Sequence, residues 1–342
     1  MTIAAVNILG IETSCDETSA AVVADGRRVL SSVVAGQDDL HGKFGGVVPE
    51  IASRAHIQRI NPVIAQALDS AQLAPSDLAA VAVANRPGLI GSLLIGVSAA
   101  KTLAWAWDKP LIDIDHVQAH IYAACLDGAP DSALPFPAIA LVVSGGHTSV
   151  YFCHSPLDIT ELGSTIDDAA GEAFDKVATI LQLGYPGGPL IDKLSTRGNP
   201  QAINFPRSWL SKTSLDFSFS GLKTAVLYHV RGQNAEIRKV DLGASAQADI
   251  AASFQQAVVD VLVGKTMSAL ARQSLDRVIV GGGVSANSVL RRAFTDACCD
   301  AHAQLFLAPV RYCTDNAAMV AGLAYHKFRA NLFADLSLTA HA

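Results

Sequence analysis

The sequence is poor in charge and in aromatic rings. Only 16% of its 342 residues are Asp, Glu, Lys or Arg, and only 6% are Phe, Trp or Tyr. So little charge beside 50% hydrophobic residues excludes a disordered chain. With few aromatics, the core must consist mostly of Ala, Val, Ile and Leu. An excess of basic residues is also missing. The net charge of -6 argues against a broad basic coat for nucleic acid, though not against a local basic groove. Arg54, His56 and Arg59 form one modest cluster, which reads as a solvated helix face. The six cysteines include no C-x-x-C pair, and the adjacent Cys298 and Cys299 cannot easily bridge each other. All are read as reduced thiols of a cytoplasmic protein. Long apolar runs are lacking, since the longest, residues 89–100, is too short to span a bilayer. The start, MTIAAVNILGIETSCDE, has no basic opening and turns acidic early, so it is not expected to be a secretory signal.

A chain of this length predicts about two domains. Residues 6–11 form an apolar strand, residues 12–18 a polar turn, and residues 19–23 a second strand. A similar hairpin recurs at residues 139–143 and 149–153, around a turn at 144–148. Each hairpin is followed later by a strand, a Gly-containing turn and a helix. In the first half these are residues 79–84, Asn85-Arg86-Pro87-Gly88, and a helix to Trp107. In the second half they are residues 277–280, Gly281-Gly282-Gly283, and residues 287–299. The chain is therefore predicted to be duplicated in its elements, though not in its sequence. Mixed sheets flanked by helices follow, with a cleft between the halves as a natural ligand site. Residues 126–137, with their prolines and small residues, are the expected linker. Residues 314–330 read as a last helix with Thr314 as N-cap, able to cross back to the first half. The expected boundaries are 1–125 for the first half, completed by 314–330, and 138–312 for the second.

His116 and His120, in DIDHVQAHIYAA, are four residues apart. On a helix both rings project from one face, a spacing that suits two imidazole ligands on one metal. It equally suits two helix histidines without a metal. A zinc protease of the H-E-x-x-H type would need Glu where Val117 stands. Asp315, in YCTDNAAM, lies at a predicted helix start, where the dipole alone favours a carboxylate. Two His and one carboxylate leave open positions for substrate, but spacing does not select Asp315 over other acids.

Val142-Val143-Ser144-Gly145-Gly146 closes a strand with two glycines, where backbone amides can approach phosphate oxygens. The first hairpin turn, Glu12 to Thr18, supplies hydroxyls and acids. Gly281-Gly282-Gly283-Val284-Ser285-Ala286-Asn287 fits the loose G-x-G-x-x-A fingerprint but comes late in its half. It reads as a nucleoside-binding turn at a helix N-terminus, with Asn287 able to hydrogen-bond the nucleoside. Asp175 and Lys176 could contact a ligand, and Tyr185-Pro186-Gly187-Gly188-Pro189 reads as a rigid turn with open backbone; taken alone, these segments read as structural.

Together these segments resemble one family, the tRNA threonylcarbamoyladenosine transferases, TsaD in bacteria and formerly O-sialoglycoprotein endopeptidases. The stretches that carry the resemblance are GIETSCDET, GGVVPEIASRAH, PGLIGSLLIG, HVQAH, LVVSGGHT, IDDAAGEAFDK, YPGGPLIDKL, FSFSGLKTA, GGGVSAN and CTDNAAM, in family order from residue 10 to about 320. The resemblance implies an α/β fold of two duplicated ribonuclease H-like halves, of the acetate/sugar kinase–Hsp70–actin type. It implies transfer of a threonylcarbamoyl group from threonylcarbamoyl-AMP to N6 of the adenosine next to the anticodon. The tRNAs are those reading codons that begin with A, and AMP is released. It makes His116, His120 and Asp315 the ligands of a divalent metal, Fe2+ with Zn2+ as the alternative. It makes Val142, Val143, Ser144, Gly145, Gly146, Asp175, Gly188, Asp192 and Asn287 contacts to the adenylate. TsaB and TsaE are the implied partners, and no residue is assigned as general base. One departure is visible. Family members usually read G-P-G-L where this chain has Arg86-Pro87-Gly88-Leu89, which can rearrange the loop or add a cation. Two other functions compete. A metallopeptidase explains HVQAH but not the nucleotide loops. A non-enzymatic nucleotide-binding scaffold explains the two halves but not the His pair.

Overall fold

The computed structural model describes residues 5–128, 133–211, 213–232 and 242–342. Residues 1–4 of the N-terminal stretch and 129–132 of the expected linker lie outside the described residues. The chain divides into two compact units. One comprises Met1–Pro135, Ser155–Asp158 and Ala308–Ala342; the other comprises Phe136–His154 and Ile159–Leu307.

In the first unit, β1 (Asn7–Glu12), β2 (Thr18–Ala24) and β3 (Arg28–Ala35) form an antiparallel meander. A short α1 (Asp38–His41) and a long α2 (Pro49–Ala71) lead to β4 (Ala80–Arg86), α3 (Ile90–Ala106), β5 (Leu111–Asp115) and α4 (His116–Tyr122). The sheet order is β3-β2-β1-β4-β5, with β1, β4 and β5 parallel. The inner strands are buried along almost their whole length, which explains their unbroken apolar runs, whereas edge strand β3 alternates.

The second unit repeats this plan. Its elements are β6 (Ala138–Val143), β7 (Thr148–Ser155), β8 (Asp158–Ser164), α5 (Ala170–Ile180), α6 (Gly187–Ser195), α7 (Ser220–Arg231), α8 (Ala244–Arg272), β9 (Arg277–Gly281), α9 (Ser288–Asp300) and β10 (Gln304–Leu307). The sheet order, β10-β9-β6-β7-β8, is that of the first unit when each strand is matched to its counterpart. Here too the first strand pairs antiparallel with the second and parallel with the fourth. The duplication expected from the hairpins is thus a duplication of topology.

The final helix, α10 (Ala317–Arg329), belongs to the first unit. Along β1, Leu9 and Ile11 join the cluster with Ile60 and Ile64 of α2 and Val97 of α3. Strand periodicity sends Gly10 and Glu12 to the opposite face. Gly10 faces α10 so closely that a Cβ there would lie 2.4 Å from the Ala317 carbonyl oxygen and 2.8 Å from the Ala321 nitrogen. Glycine at this position brings α10, and the turn before it, onto the end of β1. The N-cap of α10 is Asn316 and not Thr314: the Asn316 carboxamide oxygen accepts from the Met319 N–H at 3.1 Å. The expected basic helix face is also corrected. His56 is fully buried, its ring bonded to Thr18 Oγ1 at 2.8 Å and to the Cys15 carbonyl at 2.9 Å, and Arg59 donates to the Gly36 carbonyl. No disulfide links the described cysteines. Among the described residues no helix is long and apolar enough to cross a membrane.

Candidate metal centre

Strand β5 runs directly into α4. Asp115 is the N-cap, its carboxylate accepting from Val117 N at 3.0 Å and Gln118 N at 3.1 Å. This closes the first turn and fixes His116 and His120 on one face, with ring centroids 4.6 Å apart at 82°. Asp315 arrives from 195 residues downstream. Its position is held by Asn316, whose side-chain amide donates to the Tyr312 and Thr314 carbonyls, and by Ser19 Oγ, which accepts from Ala317 N at 2.9 Å. The Asp315 Oδ1 lies 3.1 Å from His120 Nε2 and 3.5 Å from His116 Nε2. One ligand atom of each residue falls within 4.8 Å of the others. Ligands bound at the usual first-row metal distances to one tetrahedral ion sit about 3.4 Å apart.

Glu12 supports this group from β1 and is wholly buried. Its Oε2 is 2.9 Å from His116 Nδ1, and its Oε1 accepts from Ser14 N. A carboxylate on Nδ1 holds a proton there, which is the arrangement that lets Nε2, on the Asp315 side, serve as the metal-binding nitrogen once a cation displaces its proton. The Nδ1 of buried His120 finds no hydrogen-bond partner among the described residues, so this ring is engaged through Nε2. Burial acts to lower the His116 pKa, but the Asp315 and Glu12 carboxylates overcome it and hold the ring up to about 9. Burial dominates at His120 and lowers its pKa. Glu17, also in the hairpin turn, is pushed well above the carboxylate range by burial and by Asp315 and Asp16. Two imidazole nitrogens facing one carboxylate, with a second buried carboxylate behind them, form a negative pocket that a divalent cation would neutralise. The donor set therefore fits a metal. The sequence marked Glu12 only as one acid in a turn; its place at the last position of a strand was the available signal.

The adenylate candidates all lie in the second unit. Val142 and Val143 end β6, and Ser144 turns the chain with its N–H bonded to the His147 carbonyl at 2.8 Å. Gly145 and Gly146 are exposed. Two elements hold the loop from behind. Gly171 at the start of α5 donates to the Ser144 carbonyl at 3.1 Å. Gly282 takes φ +92°, where a Cβ would lie 2.4 Å from the Val143 carbonyl. The fingerprint glycine is thus a packing glycine as well as a turn residue. The expected turn at 185–189 passes into a helix at Gly187, and Asp175 accepts from Gly187 N at 2.7 Å, which ties α5 to the first turn of α6, where Gly188 stands. Asp192 accepts from Ser288 N at 3.2 Å and from Ser288 Oγ at 2.9 Å, so it reaches the start of α9. Asn287 is the α9 N-cap. Its oxygen accepts from Val289 N and Leu290 N, and its amide donates to Gln255 at 2.7 Å. These bonds occupy the Asn287 oxygen and leave one side-chain N–H for a ligand. Asn287 is also linked to Asp192, since Gln255 Nε2 donates to Ser195 Oγ and Ser195 Oγ donates to the Asp192 carbonyl, each at 2.8 Å. Asn287 itself follows parallel strand β9, at the carboxyl end where α/β sheets bind ligands.

The family model for tRNA N6-adenosine threonylcarbamoyltransferase, TsaD, matches residues 28–322. The chain belongs to this family. It is 52% identical over 337 residues to the tRNA N6-adenosine threonylcarbamoyltransferase of Moorella thermoacetica, covering 98% of this chain and 95% of that one. It is likewise 52% identical to the protein of that name from Rhodopirellula baltica, covering 97% and 95%. Family membership makes the chain a transferase of tRNA modification and gives no support to the peptidase or scaffold readings. Solved structures agree on the fold. T. kodakarensis HypF superposes with a TM-score of 0.61 at 13% identity, covering 97% of this chain and 50% of that one. The activator of 2-hydroxyisocaproyl-CoA dehydratase from Clostridium difficile gives 0.51 at 15% identity, covering 95% and 96%. With two sheets of one topology, the chain has the duplicated α/β fold of the acetate/sugar kinase–Hsp70–actin type.

Proposed function

We propose that the donor is threonylcarbamoyl-AMP and the acceptor the N6 amine of the adenosine next to the anticodon in tRNAs reading codons that begin with A. We further propose that His116, His120 and Asp315 hold one divalent metal, Fe2+ in preference to Zn2+. The observation that carries the metal reading is the convergence of these three side chains, with Glu12 fixing the His116 ring. A cation held by these residues would supply Lewis acidity. The amine attacks the carbamoyl carbon, the bond from that carbon to the phosphate oxygen breaks, and AMP leaves with the electron pair. The N6 lone pair is delocalised into the ring, so the protein must help by stabilising the leaving group. The backbone N–H groups of Gly145 and Gly146 donate to the phosphate, and buried Val142 and Val143 at the end of β6, with Ser144, set the loop for that contact. Asp175, Gly188, Asp192 and Asn287 hold the rest of the adenylate. Gly188 suits close approach, since a Cβ there would meet no protein atom within 4 Å. No side chain is assigned to take the amine proton. An unpaired anticodon-loop base is reached without opening a duplex. TsaB and TsaE are the partners in this reading, and the reaction is placed in the cytoplasm.

The test supplies labelled threonine, bicarbonate, ATP, the partner proteins, an adenylate-forming enzyme and tRNA. Label should enter tRNA with the wild-type chain and not with His116→Ala. Undiminished transfer by His116→Ala would remove the metal from the reaction.

A further inference from the structure

The C-terminal residues beyond α10 do not trail into solvent. Ala334 N donates to the Leu111 carbonyl at 2.8 Å, forming an antiparallel bridge on β5, the outer strand of its sheet. Ala334, Leu338 and Ala340 pack against the core cluster of the first unit, and Lys101 Nζ donates to the Leu338 carbonyl. The tail then clasps Asn85. The Asn85 side-chain amide donates to the Thr339 carbonyl at 3.1 Å, and His341 N donates to the Asn85 carbonyl at 2.8 Å. Such a strap covers the backbone groups that an edge strand leaves unpaired.

The next residue is Arg86, where the sequence departs from the family pattern. Its Nε lies 3.4 Å from Asp115 Oδ2, and its Nη1 lies 3.7 Å from Asp113 Oδ2. The added cation is therefore matched by two carboxylates. One of them, Asp115, is the N-cap that holds the first turn of the helix bearing His116 and His120. The other, Asp113, is also bound by Lys327 of α10 at 2.9 Å. Arg86 uses the Oδ2 of Asp115, and the two helix amides use its Oδ1. The guanidinium thus attracts the capping carboxylate through its outer oxygen without competing for the bonds that make the cap.

We infer that Arg86, held from behind by the C-terminal strap on Asn85, is a positioning residue for the metal helix: it locks the Asp115 cap and so sets where His116 and His120 stand. The inference rests on the proposed metal role of the two histidines, but its first measurement does not. Metal-free full-length protein, wild type and Arg86→Gly, is compared by hydrogen exchange at the Val117 and Gln118 amides, with α3 amides as control. Co2+ titration of the same samples gives the second readout. Arg86 is 44% exposed, so the loss should be that of a partly solvated ion pair. Exchange at the two amides should quicken, and Co2+ affinity fall, by about 2- to 5-fold, while α3 is unchanged. Arg86→Lys, which keeps the charge, should recover part of both losses. A chain ending at Leu332 should show at least the Arg86→Gly loss at both amides. Wild-type exchange and Co2+ affinity in Arg86→Gly would overturn the inference. If the shortened chain does not fold, the Gly and Lys variants decide the matter. A wild type that takes up no Co2+, with faster amide exchange in Arg86→Gly, would instead sink the metal reading and leave the cap lock standing.

Discussion

Glu12→Gln is nearly isosteric, yet it should weaken metal binding sharply. Glu12 has two neighbours that need acceptors: His116 Nδ1 at 2.9 Å and the Ser14 N–H. A carboxylate serves both. A carboxamide has one acceptor oxygen and one NH2 group, so with the His116 proton on Nδ1, as binding a metal through Nε2 requires, an N–H faces another donor in either orientation. Leaving one buried group unsatisfied costs about 1–3 kcal/mol. Loss of the negative charge also lowers the basicity of His116 Nε2. Removing a group that orients a metal-bound histidine typically costs about 10- to 100-fold in metal affinity, or about 1.4–2.7 kcal/mol. Calorimetric titration of metal-free protein with Zn2+ or Co2+ measures this directly. The same variant should show its effect without metal, by proton NMR titration of the His116 ring. In the wild type the carboxylates of Asp315 and Glu12 outweigh burial and hold that ring up to about 9. Its folded pKa is thus raised, so the stability it contributes is full below pH 6.5 and is lost as pH rises through 9. With Glu12 neutralised, burial should bring the pKa back down and flatten that slope. Unchanged metal affinity together with an unchanged His116 titration would refute the reasoning.

Two further outcomes are expected. Gly10→Ala should destabilise the first unit by about 1–3 kcal/mol through overpacking, measured by denaturant unfolding, and should weaken metal binding because α10 carries Asp315 with it. His326, bonded to the Tyr122 hydroxyl at 2.9 Å, is lowered to about 4 by burial, with the positive charge of Arg27 adding to the effect. The unfolded chain therefore takes up a proton at His326 before the folded one does, and stability should fall as pH drops from 6.5 toward 4. His326→Gln should remove that part of the acid sensitivity, read as the pH dependence of the thermal midpoint.

What could be read along the chain was what local chemistry determines. The hairpins announced themselves by apolar runs on either side of polar turns, and the His pair by its four-residue spacing. What could not be read depended on which side chains meet across long separations. Nothing near Asp315 in the sequence distinguishes it from other helix-start acids; the close approach of α10 at Gly10 does. His56 sits among arginines, which reads as surface, yet strand β2 and the Cys15 turn bury it. Thr314 has the right side chain for a cap, but Asn316 is one residue before the first helical turn and wins the position. Arg86 reads as an extra cation, and only the register of β4 against β5, which pairs it with Asp115, reveals that its charge is matched.

The late position of α10 has a consequence for how the protein is made. His116 and His120 leave the ribosome 195 residues or more before Asp315 does. Until α10 follows, β1 lacks the helix that packs on Gly10. A nascent chain can therefore finish the fold of its second unit while the first still lacks α10 and Asp315. On the proposed metal reading, the site is completed only when residue 315 has been made, and a transcript cut short before codon 315 yields a histidine pair without its carboxylate.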